Sequence, residues 1–213
     1  MPDPAIKICG ISTADTLAAV IAARADYVGF NFYAPSPRCV TNTVARELAQ
    51  QAAGRVQRVG LFVDAADAEL GAAADGGKLD VLQLHGAESP ACAAELRARF
   101  RLPVWKVISI AARADLARAA AYVGAADLVL LDAKTPAGEL PGGMGLSFDW
   151  TWLAGWRAPL PWGLAGGITV ANVSTAIAQT GARLIDAASG VESAPGVKDV
   201  DKIAAFCKAA RLL

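Results

Sequence analysis

The chain has 213 residues, 54% of them hydrophobic, which suffices for one sizeable core. Its 20 basic and 20 acidic residues balance to a formal net charge of zero. Proteins that bind nucleic acid or anionic membranes usually carry a basic excess, so this balance argues against nucleic acid and membrane as partners.

Short β-rich runs alternate with Ala-rich helical segments along the whole sequence. Most of the runs are nearly continuous apolar stretches, as expected for strands buried on both faces of a parallel sheet. The spacing between them leaves room for the crossover helix that parallel pairing needs. The eight predicted strands are residues 5–9, 27–32, 58–63, 81–84, 104–108, 128–132, 161–165 and 184–188.

The intervening segments carry helix signals. Ser12 stands three residues before Asp15, the spacing of a capping box, and Ser89-Pro90 reads as an N-cap followed by proline at the first helical position. Asp199 or Asp201 can cap a last helix. Residues 135–145 form a long glycine-rich connection, which predicts a loop that covers a substrate.

Eight βα units in series predict an α/β protein, a single-domain (β/α)8 TIM barrel that spans residues 1–213. A doubly wound dinucleotide-binding fold would want Gly-x-Gly-x-x-Gly after the first strand, and the residues from Lys7 to Ile11 do not provide it. No linker-like or low-complexity tract divides the chain. We therefore expect one domain.

The cysteines and the apolar pattern limit which cofactors and which cellular location the protein can have. The four cysteines, at positions 9, 39, 92 and 207, include no Cys-x-x-Cys pair, and His85 is the one histidine, so no metal site is expected. No basic leader with an apolar run follows the N-terminus, and no run of about 18 apolar residues occurs. The sequence favours a cytoplasmic protein with reduced thiols.

Active sites of (β/α)8 barrels lie at the carboxyl ends of the strands, where polar residues collect in this sequence. Gly166-Gly167 follows the seventh strand and Ser189-Gly190 the eighth, the two loops that bind phosphate in many barrels. Tight turns alone would also explain these glycines.

Two further strand ends carry groups able to move protons. Cys9 ends the first strand and Asp132 the sixth, and each has the parity of a residue facing the barrel interior. A thiol and a carboxyl group there could divide proton abstraction and donation. The alternatives are a buried core thiol for Cys9 and a helix cap or solvated carboxylate for Asp132.

With these residues in view, the sequence closely resembles the phosphoribosylanthranilate isomerase family over nearly its full length. Each shared motif is weak alone, whereas their number and order are highly specific. The motifs are Lys7-Ile8-Cys9-Gly10, Val28-Gly29-Phe30-Asn31-Phe32-Tyr33, Ser36-Pro37-Arg38, Val59-Gly60-Leu61-Phe62-Val63, Leu82-Gln83-Leu84-His85-Gly86, Leu131-Asp132-Ala133-Lys134, Phe148-Asp149-Trp150, Leu164-Ala165-Gly166-Gly167, Asn172-Val173, Ser189-Gly190-Val191-Glu192 and Pro195-Gly196-Val197-Lys198-Asp199.

The resemblance implies an aldose–ketose isomerase of tryptophan biosynthesis without metal or organic cofactor. Its Amadori rearrangement converts N-(5-phosphoribosyl)anthranilate into 1-(2-carboxyphenylamino)-1-deoxyribulose 5-phosphate. By the family pattern, Asp132 protonates the ribose ring oxygen, Cys9 removes the proton at C2 of the sugar, and Arg38 holds the anthranilate carboxylate.

Electrostatic expectations follow from these roles. Positive potential from Lys7 would lower the pKa of Cys9, and desolvation when the loop closes would raise the pKa of Asp132 so that it keeps a proton. Lys7 could equally be a structural charge paired with Asp186. His85 either lines the substrate pocket or is structural. Met144 stands where the family usually has threonine, which bears on a loop contact to the substrate.

Two other functions stay open at this point. A related phosphosugar isomerase of histidine biosynthesis would use a pair of aspartates, whereas the first strand here ends in Cys9. A non-catalytic barrel that binds phosphosugars or a partner protein would need neither Cys9 nor Asp132. Both a monomer and a homodimer are compatible with the sequence.

Overall fold

A computed structural model describes residues 3–136, 138–139 and 142–211. Eight parallel strands close into a barrel in chain order, with β8 pairing β1. The predicted fold class is confirmed, and the predicted strand ends are within two residues of the observed ones. The strands are β1 (Ala5–Cys9), β2 (Tyr27–Asn31), β3 (Gln57–Phe62), β4 (Val81–Leu84), β5 (Val104–Ile110), β6 (Leu128–Ala133), β7 (Trp162–Leu164) and β8 (Leu184–Ala187).

Helices pack around the barrel. The connections after β5 and β6 carry 3-10 helices, at Arg113–Tyr122 and Trp150–Leu153, in place of α-helices. The α-helices are α1 (Ala14–Ala22), α2 (Asn42–Ala52), α3 (Asp67–Gly77), α4 (Pro90–Phe100), α5 (Val173–Thr180) and α6 (Val200–Ala210).

Local capping explains where several helices begin. Ser89 accepts a hydrogen bond from the backbone N–H of Cys92 at the start of α4, as predicted. Asp199, one of the two predicted alternatives, caps α6. The prediction for Ser12 is wrong. Thr13 is the N-cap of α1 and accepts from the N–H of Thr16, one residue further along than the capping-box pattern indicated.

An antiparallel hairpin of β9 (Glu192–Ala194) and β10 (Val197–Lys198) follows β8, and the sequence pattern did not predict it. It lies outside the repeating βα pattern, and its two short strands are too brief for a periodic signal.

The alternation of side chains along each strand produces two separate hydrophobic clusters. The larger lies between the strands and the surrounding helices, and the smaller fills the barrel interior. Ala5 and Leu128 pack against the interior cluster, so the predicted inward parity of β1 and β6 is confirmed. The interior cluster consists of Val59, Val81, Trp105, Val107, Leu130 and Leu184.

Within the described ranges, no helix has the length and apolar character needed to cross a membrane. The same part of the chain holds no group of three or more His, Cys, Asp or Glu residues placed to share a metal ion.

Candidate active site

A cavity of about 60 Å³ opens at the carboxyl ends of the strands. The predicted residues that line it come from six different strand ends, although they are far apart in the sequence. They are Cys9, Arg38, His85, Asp132, Gly166, Gly167 and Ser189. Cys9, the predicted proton acceptor, and Asp132, the predicted proton donor, therefore face one cavity.

Gly190 is an exception among the predicted residues, because it does not line this cavity. A Cβ atom at this position would collide with the carbonyl oxygen of Ile168. Its missing side chain therefore lets the loop after β8 pack directly against the loop after β7. This packing was not predicted, and the contact of Gly190 with the substrate stays a prediction.

Cys9 ends β1 beside a buried ion pair. Lys7, two residues earlier on the same face and fully buried, donates to both carboxylate oxygens of Asp186 at 3.0 and 2.9 Å. A Cβ atom at Gly29, the residue paired with Cys9 on β2, would lie 2.8 Å from Sγ of Cys9 and 3.2 Å from Nζ of Lys7. Glycine at this position therefore makes room for both side chains.

Burial raises the pKa of the Cys9 thiol above its ordinary value, against the opposing influence of Lys7. The negative charge of Asp186 raises the pKa of Cys9 further. The expected downward shift of the Cys9 pKa is wrong for the free protein, because burial outweighs the positive potential of Lys7. The same carboxylate and Cys9 raise the pKa of Lys7 although burial opposes its charge.

Asp132 lies near the end of β6 and is only 8% exposed. Burial raises the pKa of Asp132 from 3.8 to about 7, and the charge of Asp186 adds to the shift. The backbone N–H of Ala133 acts in the opposite direction. The carboxyl group thus holds a proton for much of the time near neutral pH, as the sequence analysis expected.

His85 follows β4 and approaches Asp132, with Nε2 3.5 Å from Oδ2. Burial, and then the charges of Lys106 and Lys7, lower the pKa of His85 to about 3. The imidazole is therefore neutral, and its contact with Asp132 is not an ion pair. Its Nδ1 atom is buried without a hydrogen-bond partner among the described residues.

Arg38 approaches the cavity from the loop after β2. Its Nε and Nη2 atoms donate to the two carboxylate oxygens of Glu192, both at 2.7 Å, and Nη2 also donates to the carbonyl oxygen of Gly143 at 3.0 Å. Lys198 forms a further buried ion pair with Glu192. The roles of Glu192 and Lys198 were missed in the sequence, since both lie on the unpredicted hairpin.

The long loop after β6 lies over the cavity where the structure describes it, while residues 137, 140 and 141 lie outside the described residues. A Cβ atom at Gly142 would be 2.7 Å from Cε1 of His85 and 3.0 Å from Oδ2 of Asp132. Met144 lines the cavity too, so the departure from the family pattern falls at the site itself.

The loop after β7 supplies two consecutive glycines with positive φ, Gly166 at 82° and Gly167 at 62°. A Cβ atom at Gly166 would lie 2.6 Å from the backbone nitrogen of Ala133. Asn172 fixes the loop, since its side chain accepts from the N–H of Thr169 and donates to the carbonyl oxygen of Gly167. With Ser189 opposite, these residues form a small concave surface suited to an anion.

Comparison with known proteins agrees with this arrangement. Residues 6–209 match a family model described as N-(5'-phosphoribosyl)anthranilate (PRA) isomerase. A relative from Paramagnetospirillum magneticum named N-(5'-phosphoribosyl)anthranilate isomerase is 52% identical over 207 residues, covering 97% of this chain and 96% of the relative.

Solved structures give the same result. The phosphoribosyl anthranilate isomerase of Thermotoga maritima matches with a TM-score of 0.88 at 33% identity, covering 97% of this chain and 98% of that one. A PRAI structure in complex with reduced 1-(o-carboxyphenylamino)-1-deoxyribulose 5-phosphate matches with a TM-score of 0.85 at 31% identity, with the same coverage.

Proposed function

The chain belongs to the N-(5'-phosphoribosyl)anthranilate isomerase family, and from this premise we propose that Cys9 and Asp132 are the general base and general acid of its reaction. The protein is an isomerase of tryptophan biosynthesis. It rearranges N-(5-phospho-β-D-ribosyl)anthranilate to 1-(2-carboxyphenylamino)-1-deoxy-D-ribulose 5-phosphate. The observation that carries the assignment is that thiol and carboxyl group line one cavity from β1 and β6.

The first step needs a proton donor. Asp132 gives its proton to the ribose ring oxygen, the C1–O bond breaks, and the nitrogen lone pair forms a cationic Schiff base. A carboxyl group with a pKa of about 7 retains that proton near neutral pH, whereas an ordinary aspartate would have lost it.

The second step needs a base close to the new cation. Cys9 as thiolate removes the proton at C2, the electrons neutralise the Schiff base, and the resulting enolamine tautomerises to the ketone. Burial disfavours the thiolate in the free protein, while the nearby substrate cation favours it, because opposite charges attract strongly at low dielectric. The thiol therefore releases its own proton to water mainly after the acid has acted, and the thiolate formed in this way is the base.

The ends of the substrate are anionic, and each has a matching group. Arg38, held by Glu192, takes the anthranilate carboxylate. Gly166, Gly167, Ser189 and Gly190 take the phosphate, because glycine lets backbone N–H groups approach an anion closely. His85 lines the pocket between these ends and contacts the substrate as a neutral imidazole.

The steps are proton transfers, so they call for neither a metal nor an organic cofactor. We further propose that the whole chain is one barrel domain that works in the cytoplasm as a monomer or a homodimer. Its partner is a small phosphosugar. Free thiols at all four cysteines fit a reducing compartment.

The test is turnover, followed by the loss of anthranilate fluorescence from the substrate. Cys9→Ala and Asp132→Asn are each expected to lower kcat by roughly 1,000-fold, the usual size of a general acid or base contribution. Binding of the reduced product analogue should change only a few-fold, because the loss falls on the transition state.

Cys92→Ala, a cysteine of α4 far from the cavity, is the matched control and should keep wild-type turnover. Full turnover by Cys9→Ala would remove the base assignment. Equal losses of turnover and analogue binding in Asp132→Asn would remove the acid assignment. A wild-type protein without turnover would favour the non-catalytic binding barrel.

A further inference from the structure

The amide of Gln83 is a buried polar group that the proposed reaction does not use. Gln83 lies on β4, two residues before His85 on the same inward face, and it is 1% exposed. It lines the cavity, and its Oε1 atom has no hydrogen-bond partner within the described part of the chain.

An unpaired amide oxygen in this position costs stability. Leaving a buried donor or acceptor unsatisfied costs about 1–3 kcal/mol, and an apolar side chain of the same shape would avoid the loss. The neighbours of Gln83 across the sheet are Leu61 and Trp105, which offer its amide no side-chain acceptor and only the indole N–H as a donor. The fold alone therefore gives no reason for glutamine here.

Two other buried polar side chains that line the cavity already have partners. Asn31 donates to Ser36 and accepts from the N–H of Tyr33, while Asp186 accepts from Lys7. Together with Nδ1 of His85, Gln83 is therefore a group that the protein leaves open toward the bound molecule.

The substrate has polar groups that the site described so far does not match. Its phosphate and carboxylate ends are taken by the glycine loop and Arg38, and its ring oxygen and C2 proton by Asp132 and Cys9. The hydroxyl groups of the sugar lie between those ends. Gln83 lies deeper in the barrel than His85 and so reaches this middle section from below.

We propose that Gln83 is a substrate-positioning residue whose amide hydrogen-bonds a sugar hydroxyl and holds the sugar between Cys9 and Asp132. This inference rests on the proposed function, since it requires a hydroxylated chain between two anionic ends. The amide can both donate and accept, so it can bind a hydroxyl in either sense.

The experiment uses Gln83→Met, which keeps the length of the side chain and removes its amide. Two ligands are titrated calorimetrically into wild type and variant. One is the reduced product analogue, and the other is an anthranilate joined to a phosphate by a five-carbon chain without hydroxyls. The variant should bind the first about tenfold more weakly and the second equally well.

Two further measurements distinguish a role of Gln83 in positioning the substrate from a role in stabilising the fold. Gln83→Met should lower kcat/KM by about tenfold or more while its Tm stays equal to or above that of wild type. Gln57→Met, the same substitution at the exposed start of β3, is the control and should change neither quantity.

The proposal is overturned if Gln83→Met lowers affinity for both ligands alike, or if its Tm falls and activity falls only with the folded fraction. Unchanged affinity and kcat/KM would overturn it as well. Failure of the proposed function looks different, because wild type itself would then show no turnover and no preference for the hydroxylated ligand.

Discussion

The two ends of the barrel differ in how their polar groups are buried and paired, although the same eight strands form both ends. At the carboxyl ends, ionisable groups are buried in and around one cavity, and several lie far from their ordinary pKa. Cys9 and Asp132 are raised and His85 is lowered, in each case chiefly by burial. Gln83 and His85 each keep a buried polar atom without a partner among the described residues.

The amino ends are organised for stability. Three aspartates precede β2, β4 and β6, and each accepts a hydrogen bond at 2.8 Å from a backbone N–H near the start of the preceding strand. The aspartates are Asp26, Asp80 and Asp127, and their backbone donors are Ile6, Arg58 and Val104. Between the two ends lies the apolar interior cluster.

This contrast shows that the rest of the molecule stabilises the polar residues at the carboxyl ends of the strands. Desolvated charges and an unpaired amide oxygen destabilise the fold at the carboxyl ends of the strands. The apolar interior cluster and the hydrogen-bonded aspartates at the amino ends offset this loss. This division matches the general behaviour of (β/α)8 barrels, in which chemistry collects at the carboxyl ends of the strands and stability at the amino ends.

The largest expected effect concerns Asp132 and pH. Its folded pKa lies above its ordinary 3.8, so between about pH 4 and 7 the folded state binds more protons than the unfolded state, and stability falls as pH rises. Asp132→Asn cannot lose a proton. At pH 8 it should be more stable than wild type by as much as about 4 kcal/mol.

Urea denaturation at pH 8 and pH 4 measures this difference. At pH 4 both proteins carry a mostly neutral group, and the gap should shrink to under about 1 kcal/mol. A gap that is the same at both pH values would show that the carboxyl group is not raised by burial.

A second prediction compares two glycines on the inner face of the barrel. Gly29→Ala places a methyl group against Cys9 and Lys7, so the thiol must shift, and kcat/KM should fall by roughly 30-fold. Gly163→Ala places the same methyl group 2.8 Å from Cδ2 of Leu130 in the apolar cluster. It should cost about 1–3 kcal/mol of stability, with normal kcat/KM per folded molecule.

Steady-state kinetics and denaturation of both variants check the comparison. If Gly163→Ala loses activity per folded molecule as strongly as Gly29→Ala, the residues around the cavity and the apolar interior cluster are not functionally separate.

The smallest effect is expected at the amino end. Asp80 accepts hydrogen bonds from the backbone N–H and from Nε and Nη2 of Arg58. Asp80→Ala removes them and should lower the free energy of unfolding by about 1–2 kcal/mol, leaving kcat/KM unchanged.

Asp80→Asn retains an acceptor for the backbone N–H and should lose less than half as much, as measured by thermal and urea denaturation. A loss of kcat/KM in either variant would contradict the separation of the two ends.

Much of this division was readable from the sequence, because strand periodicity is a local signal. Apolar runs marked all eight strands, and parity correctly placed Cys9 and Asp132 on the inner face. The pairing of Lys7 with Asp186, one of two alternatives considered, is also observed. The N-cap of α1 was predicted wrongly, because spacing alone does not decide which of two adjacent hydroxyl groups faces the first turn. The packing of Gly190 on Ile168 was not predicted, because it depends on the contact between two loops.

By itself, the sequence determined the barrel, the face on which each strand residue lies, and the family. Only the tertiary structure decided that Glu192 holds Arg38 across 154 positions of the chain, and that the pKa of Cys9 is raised. The reason is that side-chain direction follows from neighbouring residues, whereas burial and charge pairing depend on which distant strands barrel closure brings together.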